Sequence, residues 1–185
     1  LNENNNFKSG IRLEGRNVVV KVASSASLIL GASSGTSIIT GYLKARGVGN
    51  AVTDGGALSV AGTTNITATT QNVTLDHASS NLQGPLKITG ANVSVTHHTG
   101  SLALGDSTIS GTYDIRTRTI AGDITDSGTL DIEGNSSFIT DVAGADIKLD
   151  TTTNGFTGTV TVNTDGSGGD AEIHGGSTPL GIIAS

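Results

Sequence analysis

The 185-residue sequence contains no cysteine, methionine or tryptophan, and only 3% of its residues are aromatic. Without cysteine the chain can form neither a disulfide scaffold nor a thiolate zinc site. Large side chains normally dominate a globular core, so their scarcity favours a thin core of Val, Ile, Leu and Ala. We therefore expect a narrow coil with a slender interior.

Further absences exclude classes of partner. The net charge is −6 and the ten basic residues appear scattered, which argues against nucleic acid because phosphate binding needs clustered Lys and Arg. No apolar run is longer than three residues, as in the valines 18–20, which is too short to cross a bilayer, so no membrane insertion is expected. The sequence begins with Leu1 and shows no signal peptide. We interpret it as a piece of a longer polypeptide that carries its targeting information elsewhere.

What the chain has in abundance is glycine, with 27 residues against 2 prolines, together with Thr, Ser and Asn. This composition suits short β-strands joined by tight turns and disfavours helices. Apolar residues recur two positions apart, as in Leu58 and Val60 or Leu86 and Ile88. Such alternation, interrupted by glycines, predicts an all-β fold.

The sequence repeats itself. Residues 52–62 (VTDGGALSVAG) reappear as 124–134 (ITDSGTLDIEG), and weaker matches follow in the same order. Apolar positions and glycines are kept, but no reactive group is. The shared Asp54 and Asp126 stand at strand ends, where we expect each to bind its own turn backbone. Self-similarity of this kind is typical of repeat proteins.

The spacing of the apolar pairs predicts turns of roughly 20 to 25 residues, a solenoid period, stacked about 4.8 Å apart. We expect three regions. Residues 1–51 form less regular coils with a protruding loop at 41–50, residues 52–123 form the first repeat unit, and residues 124–185 form a second, truncated unit.

Four segments carry a resemblance to a known family: 90–95 (GANVSV), 124–132 (ITDSGTLDI), 145–150 (ADIKLD) and 154–160 (NGFTGTV). They resemble the repeats of filamentous hemagglutinin-like exoproteins of Gram-negative bacteria. The resemblance implies a right-handed parallel β-helix, secretion through an outer-membrane partner, and adhesion at the cell surface. The Asn-Pro-Asn-Gly motif of the family's secretion domain is absent here, so we expect this piece to be shaft.

The main functional prediction is a structural shaft segment of a secreted adhesin that presents distal binding regions, without catalytic residues, cofactor or metal. The alternative is that the segment itself binds a host glycan or protein receptor, through Tyr42, Lys44 and Arg46 of the expected loop. Four acceptor sequons add candidate glycosylation sites: Asn65, Asn72, Asn92 and Asn135.

A carbohydrate-active enzyme or tail-spike segment is the third alternative, since such β-helices use clustered carboxylates as acid and base. The candidates are Asp106, Asp114, Asp123 and Asp126, near Arg116 and Arg118, although their glycine and serine neighbours favour solvated turn residues.

Metal binding has weak candidates. Adjacent His97 and His98 would point to opposite faces of a strand, and we expect all four histidines to be exposed. Residues 166–173 (GSGGDAEI) form one imperfect copy of a calcium nonapeptide that functions only in stacks, so no structural calcium is expected.

Overall fold

The structure is a computed structural model that describes residues 7–22, 26–118, 122–165, 168–176 and 180–184. These residues form 23 strands and no helix. Every strand pairing is parallel, within three sheets that form the sides of a coil. The predicted all-β parallel β-helix, a β-solenoid, is confirmed.

The four-stranded sheet contains β1 (Glu14–Gly15), β4 (Ser37–Ile39), β7 (Leu58–Val60) and β10 (Asn81–Leu82). The eight-stranded sheet contains β3 (Leu28–Leu30), β6 (Val52–Asp54), β9 (Val73–Leu75), β12 (Val93–His97), β15 (Tyr113–Thr117), β18 (Ser136–Thr140), β21 (Val160–Thr164) and β23 (Ile182–Ala184). The eleven-stranded sheet contains β2 (Val18–Val22), β5 (Leu43–Gly47), β8 (Thr64–Ala68), β11 (Leu86–Gly90), β13 (Leu102–Leu104), β14 (Ser107–Ile109), β16 (Ile124–Asp126), β17 (Leu130–Ile132), β19 (Ile147–Leu149), β20 (Gly155–Phe156) and β22 (Ala171–Ile173).

Successive coils stack in register. In the eight-stranded sheet Val93 lies beside Tyr113 and Ser136 beside Val160, at spacings of 20 and 24 residues. Across all three sheets the paired residues are 18 to 25 positions apart. Along each strand, side chains alternate between the interior and the outer surface because the backbone is pleated. The turn length and the alternation predicted from the sequence are therefore confirmed.

One continuous apolar core runs through the stack, built mainly of Val, Leu and Ile. Toward the C-terminal half three aromatic side chains enter it. The rings of Tyr113 and Phe138, and those of Phe138 and Phe156, lie edge to face with centroids 5.9 and 6.0 Å apart. Edge-to-face packing is a favoured geometry for aromatic pairs. Three of the five aromatic residues thus cluster inside the coil and reinforce the thin core.

The prediction of a protruding loop at residues 41–50 is wrong for the central part of this segment. Leu43–Gly47 form strand β5, which pairs with β2 on one side and β8 on the other. Leu43 and Ala45 are buried, whereas Lys44 and Arg46 are exposed. Glycines on both sides and two cations within the strand obscured an ordinary strand alternation.

Strand lengths reveal a longer repeat. From β2 to β11 the strands have 5, 3, 3, 5, 3, 3, 5, 3, 2 and 5 residues, and β12 to β21 repeat the same order. Strand β2 therefore corresponds to β12, β5 to β15 and β8 to β18. Because a coil has three strands, ten strands make three and one-third coils. The second ten-strand unit, β12 to β21, is consequently rotated about the coil axis by one third of a turn relative to the first, β2 to β11.

The rotation arises where two five-residue strands follow each other. Only Ala91 and Asn92 separate β11 from β12, whereas neighbouring parallel strands need a crossover of about a dozen residues. Strand β12 must therefore lie on the next face. The five-residue strands occupy the eleven-stranded sheet up to β11 and the eight-stranded sheet from β12 onward.

Two aspartates tie one coil to the next. The Asp54 carboxylate accepts backbone N–H groups from Asp76 (2.8 Å) and His77 (3.1 Å), and the Ser80 hydroxyl donates to it at 3.3 Å. Asp126 accepts the equivalent bonds from Asp150, Thr151 and Asn154 at 3.1, 3.3 and 2.6 Å. The expectation that these aspartates bind their own turns is therefore wrong, because they bind the following coil.

Glycines stack at one corner of each unit. Gly41, Gly62 and Gly84 form one column, and Gly111, Gly134 and Gly158 form the equivalent column one face further round. A Cβ on Gly62 would lie 2.7 Å from the carbonyl oxygen of Gly41. The close backbone contact between coils therefore requires glycine at these corners.

We predict that Gly134→Ala destabilises the coil by about 1–3 kcal/mol, the usual cost of overpacking. The added Cβ would overlap the carbonyl oxygen of Gly111. Urea unfolding followed by circular dichroism measures the effect. Gly155→Ala is the control, since its Cβ would meet only an Asp131 oxygen at 3.6 Å. Equal stability of the two variants would contradict the proposed role of the column.

Candidate functional site

A shallow groove crosses the outer surface of β2, β5 and β8. We call it the first groove; its volume is about 290 Å³. Three cations face it, and no carboxylate is among its lining residues. Lys21 lies beside Arg46, and Lys44 beside Asn65, on neighbouring coils. The outward lining residues are Val19, Lys21, Lys44, Arg46, Asn65 and Thr67.

A second depression continues from the first groove and shares Lys44 and Asn65 with it. Tyr42 and Lys87 also line it, and its volume is about 340 Å³. The ammonium group of Lys44 lies 5.5 Å from the centroid of the Tyr42 ring, within cation–π range. Lys87 pairs with Asp106 at 2.6 Å. The two depressions together make a cationic trough with an aromatic side chain on its margin.

A similar groove of about 270 Å³ crosses β12, β15 and β18 on the eight-stranded sheet. In this second groove Arg116 makes a two-pronged contact with Asp141, in which Nε and Nη2 each lie 2.7 Å from a carboxylate oxygen. Arg118 Nε lies 3.3 Å from the same carboxylate. These hydrogen bonds raise the pKa of Arg116. The outward lining residues are Ser94, Thr96, Asp114, Arg116, Ser137 and Ile139, with Arg118 added.

The two grooves are equivalent positions of the ten-strand unit. Each of the six outward positions of the first groove corresponds to one of the second, in the same register across three strands. Arginine is kept at one of the six, as Arg46 and Arg116. Lys44 is replaced by Asp114, whose pKa is raised by partial desolvation. The two grooves therefore share a backbone geometry but differ in the charges of the side chains that line them.

The comparisons with known proteins agree with this internal symmetry. A family model described as repeats of unknown function (DUF5649) matches residues 15–89 and 90–163. The chain belongs to this family. No curated protein and no solved structure matches it.

The boundary between the two DUF5649 repeats falls at residues 89 and 90. This is the end of β11, just before the second of the two consecutive five-residue strands. Each DUF5649 repeat thus contains one ten-strand unit and one groove. Both matches begin earlier than the units at 52–123 and 124–185 expected from the sequence, and those expected boundaries stay predictions.

The structure brings the predicted contact residues together, although as part of a strand surface. Tyr42, Lys44 and Arg46 all line the trough. Of the sequon residues, Asn65 lies in the first groove and is half-buried. Asn72, Asn92 and Asn135 are exposed at turns, where Asn92 accepts the Thr112 N–H at 3.1 Å and Asn135 the Thr159 N–H at 3.0 Å. Their glycosylation stays a prediction.

Three of the four aspartates proposed as an acidic site bind backbone N–H groups. Asp106, Asp123 and Asp126 accept N–H groups from Thr129, Asp146 and Asp150 on the following coil. Asp114 lies apart from them on the eight-stranded sheet. Arg116 and Arg118 contact Asp141, which the sequence did not single out. That the chain has no catalytic site stays a prediction.

The expectation of four exposed histidines is wrong for His97, which is buried with 3% of its surface exposed. Its Nε2 lies 3.3 Å from the Leu82 N–H and its Nδ1 lies 3.1 Å from the Gly100 carbonyl oxygen. The equivalent position in the first DUF5649 repeat is Val22, a core residue. Among the described residues no three His, Cys, Asp or Glu side chains group as metal ligands. The calcium-like segment 166–173 lies partly outside the described residues.

One sequence signal could have located the trough. Residues 1–51 hold six of the ten basic residues and two of the sixteen acidic ones, although the whole chain has a net charge of −6. A segment count, in place of the whole-chain charge, would have marked the N-terminal third as basic. The part of the chain that the structure describes contains no helix with the length and apolarity of a membrane span.

We predict that stability falls as the pH decreases below about 6.5, the ordinary pKa of His. Burial lowers the pKa of His97, so the unfolded chain binds a proton that the folded chain excludes, until the pH reaches the lowered value. Thermal unfolding between pH 7.5 and 5 measures the loss. His97→Val should remove this component, whereas His174→Gln at an exposed position should keep it. An unchanged pH profile in His97→Val would refute this assignment.

Proposed function

We propose that this chain is a rigid shaft segment of a secreted adhesin on the surface of a Gram-negative bacterium. In this proposal the parent protein is exported by an outer-membrane secretion partner, and the coil holds distal binding regions away from the cell. The adhesin assignment rests on the sequence resemblance to hemagglutinin-like exoproteins. The mechanical part rests on the way in which each coil is bonded to the next.

Three sets of interactions join neighbouring coils and support a mechanical role. Backbone hydrogen bonds pair the strands of each face with those above and below. The core is a single cluster through the stack. Side chains add bonds that cross from coil to coil, of which Asp126 makes three. Bending between two coils would break several of these interactions together, so a stiff rod is expected.

Distances along one face test the shaft proposal. Thr53, Ser137 and Thr161 lie in one outward column of the eight-stranded sheet, and the chain has no native cysteine. We predict that spin labels at Thr53→Cys and Thr161→Cys give a narrow distance distribution centred near 24 Å, because five strand spacings of about 4.8 Å separate the two positions.

Moving the second label to Ser137→Cys should shorten the distance by about one strand spacing, roughly 4.8 Å. Double electron–electron resonance measures both pairs. Broad distributions, or equal distances for the two pairs, would show a flexible segment and contradict the shaft proposal.

A second candidate function is direct binding of a glycan through the trough. The observation that favours it is the convergence of Lys21, Lys44 and Arg46 in a groove without a lining carboxylate, on a chain that is acidic elsewhere. Tyr42 at the margin is 37% exposed and offers a flat apolar ring beside the cations. Such a lateral site is compatible with a shaft, because it uses only outward side chains.

A further inference from the structure

The second groove shows what its arginine binds. Arg116 holds the carboxylate of Asp141 through two N–H donors, at 2.7 Å each. Two parallel N–H···O bonds of this kind are the strong, directional form of carboxylate recognition by arginine. Asp141 follows β18 directly, on the coil after Arg116. In this repeat the hydrogen-bond donors of the arginine are therefore taken by a carboxylate of the protein itself.

The first groove lacks that internal ligand. The residue that corresponds to Asp141 is Thr69, which follows β8 directly. Within the described part of the chain, no carboxylate lies within ion-pair distance of Arg46. Arg46 is exposed, with Lys21 beside it on one coil and Thr67 on the other. The first groove thus has the arginine of the second groove but lacks the carboxylate that pairs with it.

We propose that the first groove binds a carboxylated sugar, whose carboxylate takes the place at Arg46 that Asp141 takes at Arg116. This inference rests on the glycan-binding role proposed above and names its ligand class. Lys44 and Lys21 supply further positive charge around the bound carboxylate. The second groove is closed to such a ligand, because Asp141 already occupies Arg116 and Asp114 replaces Lys44.

The lining favours a sugar over an acidic peptide. Asn65 and Thr67 line the groove with an amide and a hydroxyl group, and Thr63 adds a hydroxyl group in the adjoining depression. These groups can exchange hydrogen bonds with sugar hydroxyls. Both depressions are shallow, about 290 and 340 Å³, and neither is a deep apolar pocket of the kind that anchors a peptide side chain.

Two sources of a sugar carboxylate serve as probes: trigalacturonate for hexuronates, and sialyllactose for sialic acids. Isothermal titration calorimetry on the full chain measures binding to each, with methyl-esterified trigalacturonate and lactose as uncharged controls. We expect one charged probe to bind and its uncharged control not to bind. The affinity should fall as salt is added, because the contacts are exposed.

Variants separate the role of Arg46 from general charge. Arg46→Gln should weaken binding about ten- to a hundredfold, the usual value of hydrogen bonds to a charged group. Arg46→Lys should not restore it, because lysine cannot make the two-pronged contact. Thr69→Asp should abolish binding, because it places beside Arg46 a carboxylate equivalent to Asp141, the residue that pairs with Arg116 in the second groove. Thr152→Asp, at an exposed turn away from the trough, is the matched control for added negative charge.

Circular dichroism confirms that each variant is folded, and the Arg116→Gln variant should bind as the original chain does. Equal binding of charged and uncharged probes, or full binding by Thr69→Asp, would overturn the carboxylate assignment while leaving a glycan-binding role intact. Absence of binding to both charged probes would overturn this inference. Tighter binding of a hexaglutamate peptide than of either sugar would do the same in favour of a protein partner. The shaft proposal is tested separately by the spin-label distances.

Discussion

Backbone hydrogen bonding between successive coils is the constraint on which the rest of this structure depends. Strands within the stack pair in parallel with a strand one coil before and a strand one coil after, as β15 does with β12 and β18. Register is therefore carried from coil to coil, and inward residues lie on inward residues of the next coil. A core of Val, Leu and Ile suffices because its width is fixed by the coil. The corners must also stack, and there the close backbone contacts require glycine.

The same constraint explains how one repeat makes two different surfaces. A link of two residues between β11 and β12 places the second DUF5649 repeat one third of a turn round the axis. Equivalent grooves consequently face different directions. Most inward positions keep their apolar character, with His97 in place of Val22 as an exception, whereas outward positions are free to change, as Lys44 and Asp114 show. Arg46 and Arg116 are the exception among the outward groove positions, and only Arg116 has a carboxylate partner.

Much of the fold could be predicted from the sequence, because alternation and glycine spacing report directly on strands and turns. Strand β5 was missed since its two cations and flanking glycines resemble a loop, although Leu43 and Ala45 alternate correctly. The rotation between repeats could not be predicted, because it depends on which strands share a face. Asp54 and Asp126 were assigned to their own turns for the same reason, since their partners lie on the following coil.

The site was less accessible to sequence reasoning. The sequence predicts Tyr42, Lys44 and Arg46 in a protruding loop. In the structure Lys44 and Arg46 belong to strand β5, yet all three side chains line one surface. Asp141 had no sequence signal of its own, because its contact with Arg116 joins residues on different coils. Burial of His97 was hidden by its neighbour His98, which made the pair look like a polar turn. Contacts between coils are long-range in sequence, and residue patterns alone do not encode them.

The stacking of β12 tests the central claim that the repeat is rotated. Ser94 of β12 lies beside Thr74 of β9 in the eight-stranded sheet, and both side chains point outward. Oxidation of the Thr74→Cys/Ser94→Cys variant should form a disulfide, because paired strands bring Cα atoms to about 5 Å. Without the rotation, β12 would stack on β11 and Ser94 would lie beside Lys87. Cross-linking of Lys87→Cys/Ser94→Cys in place of Thr74→Cys/Ser94→Cys, read by non-reducing electrophoresis and mass spectrometry, would contradict the account.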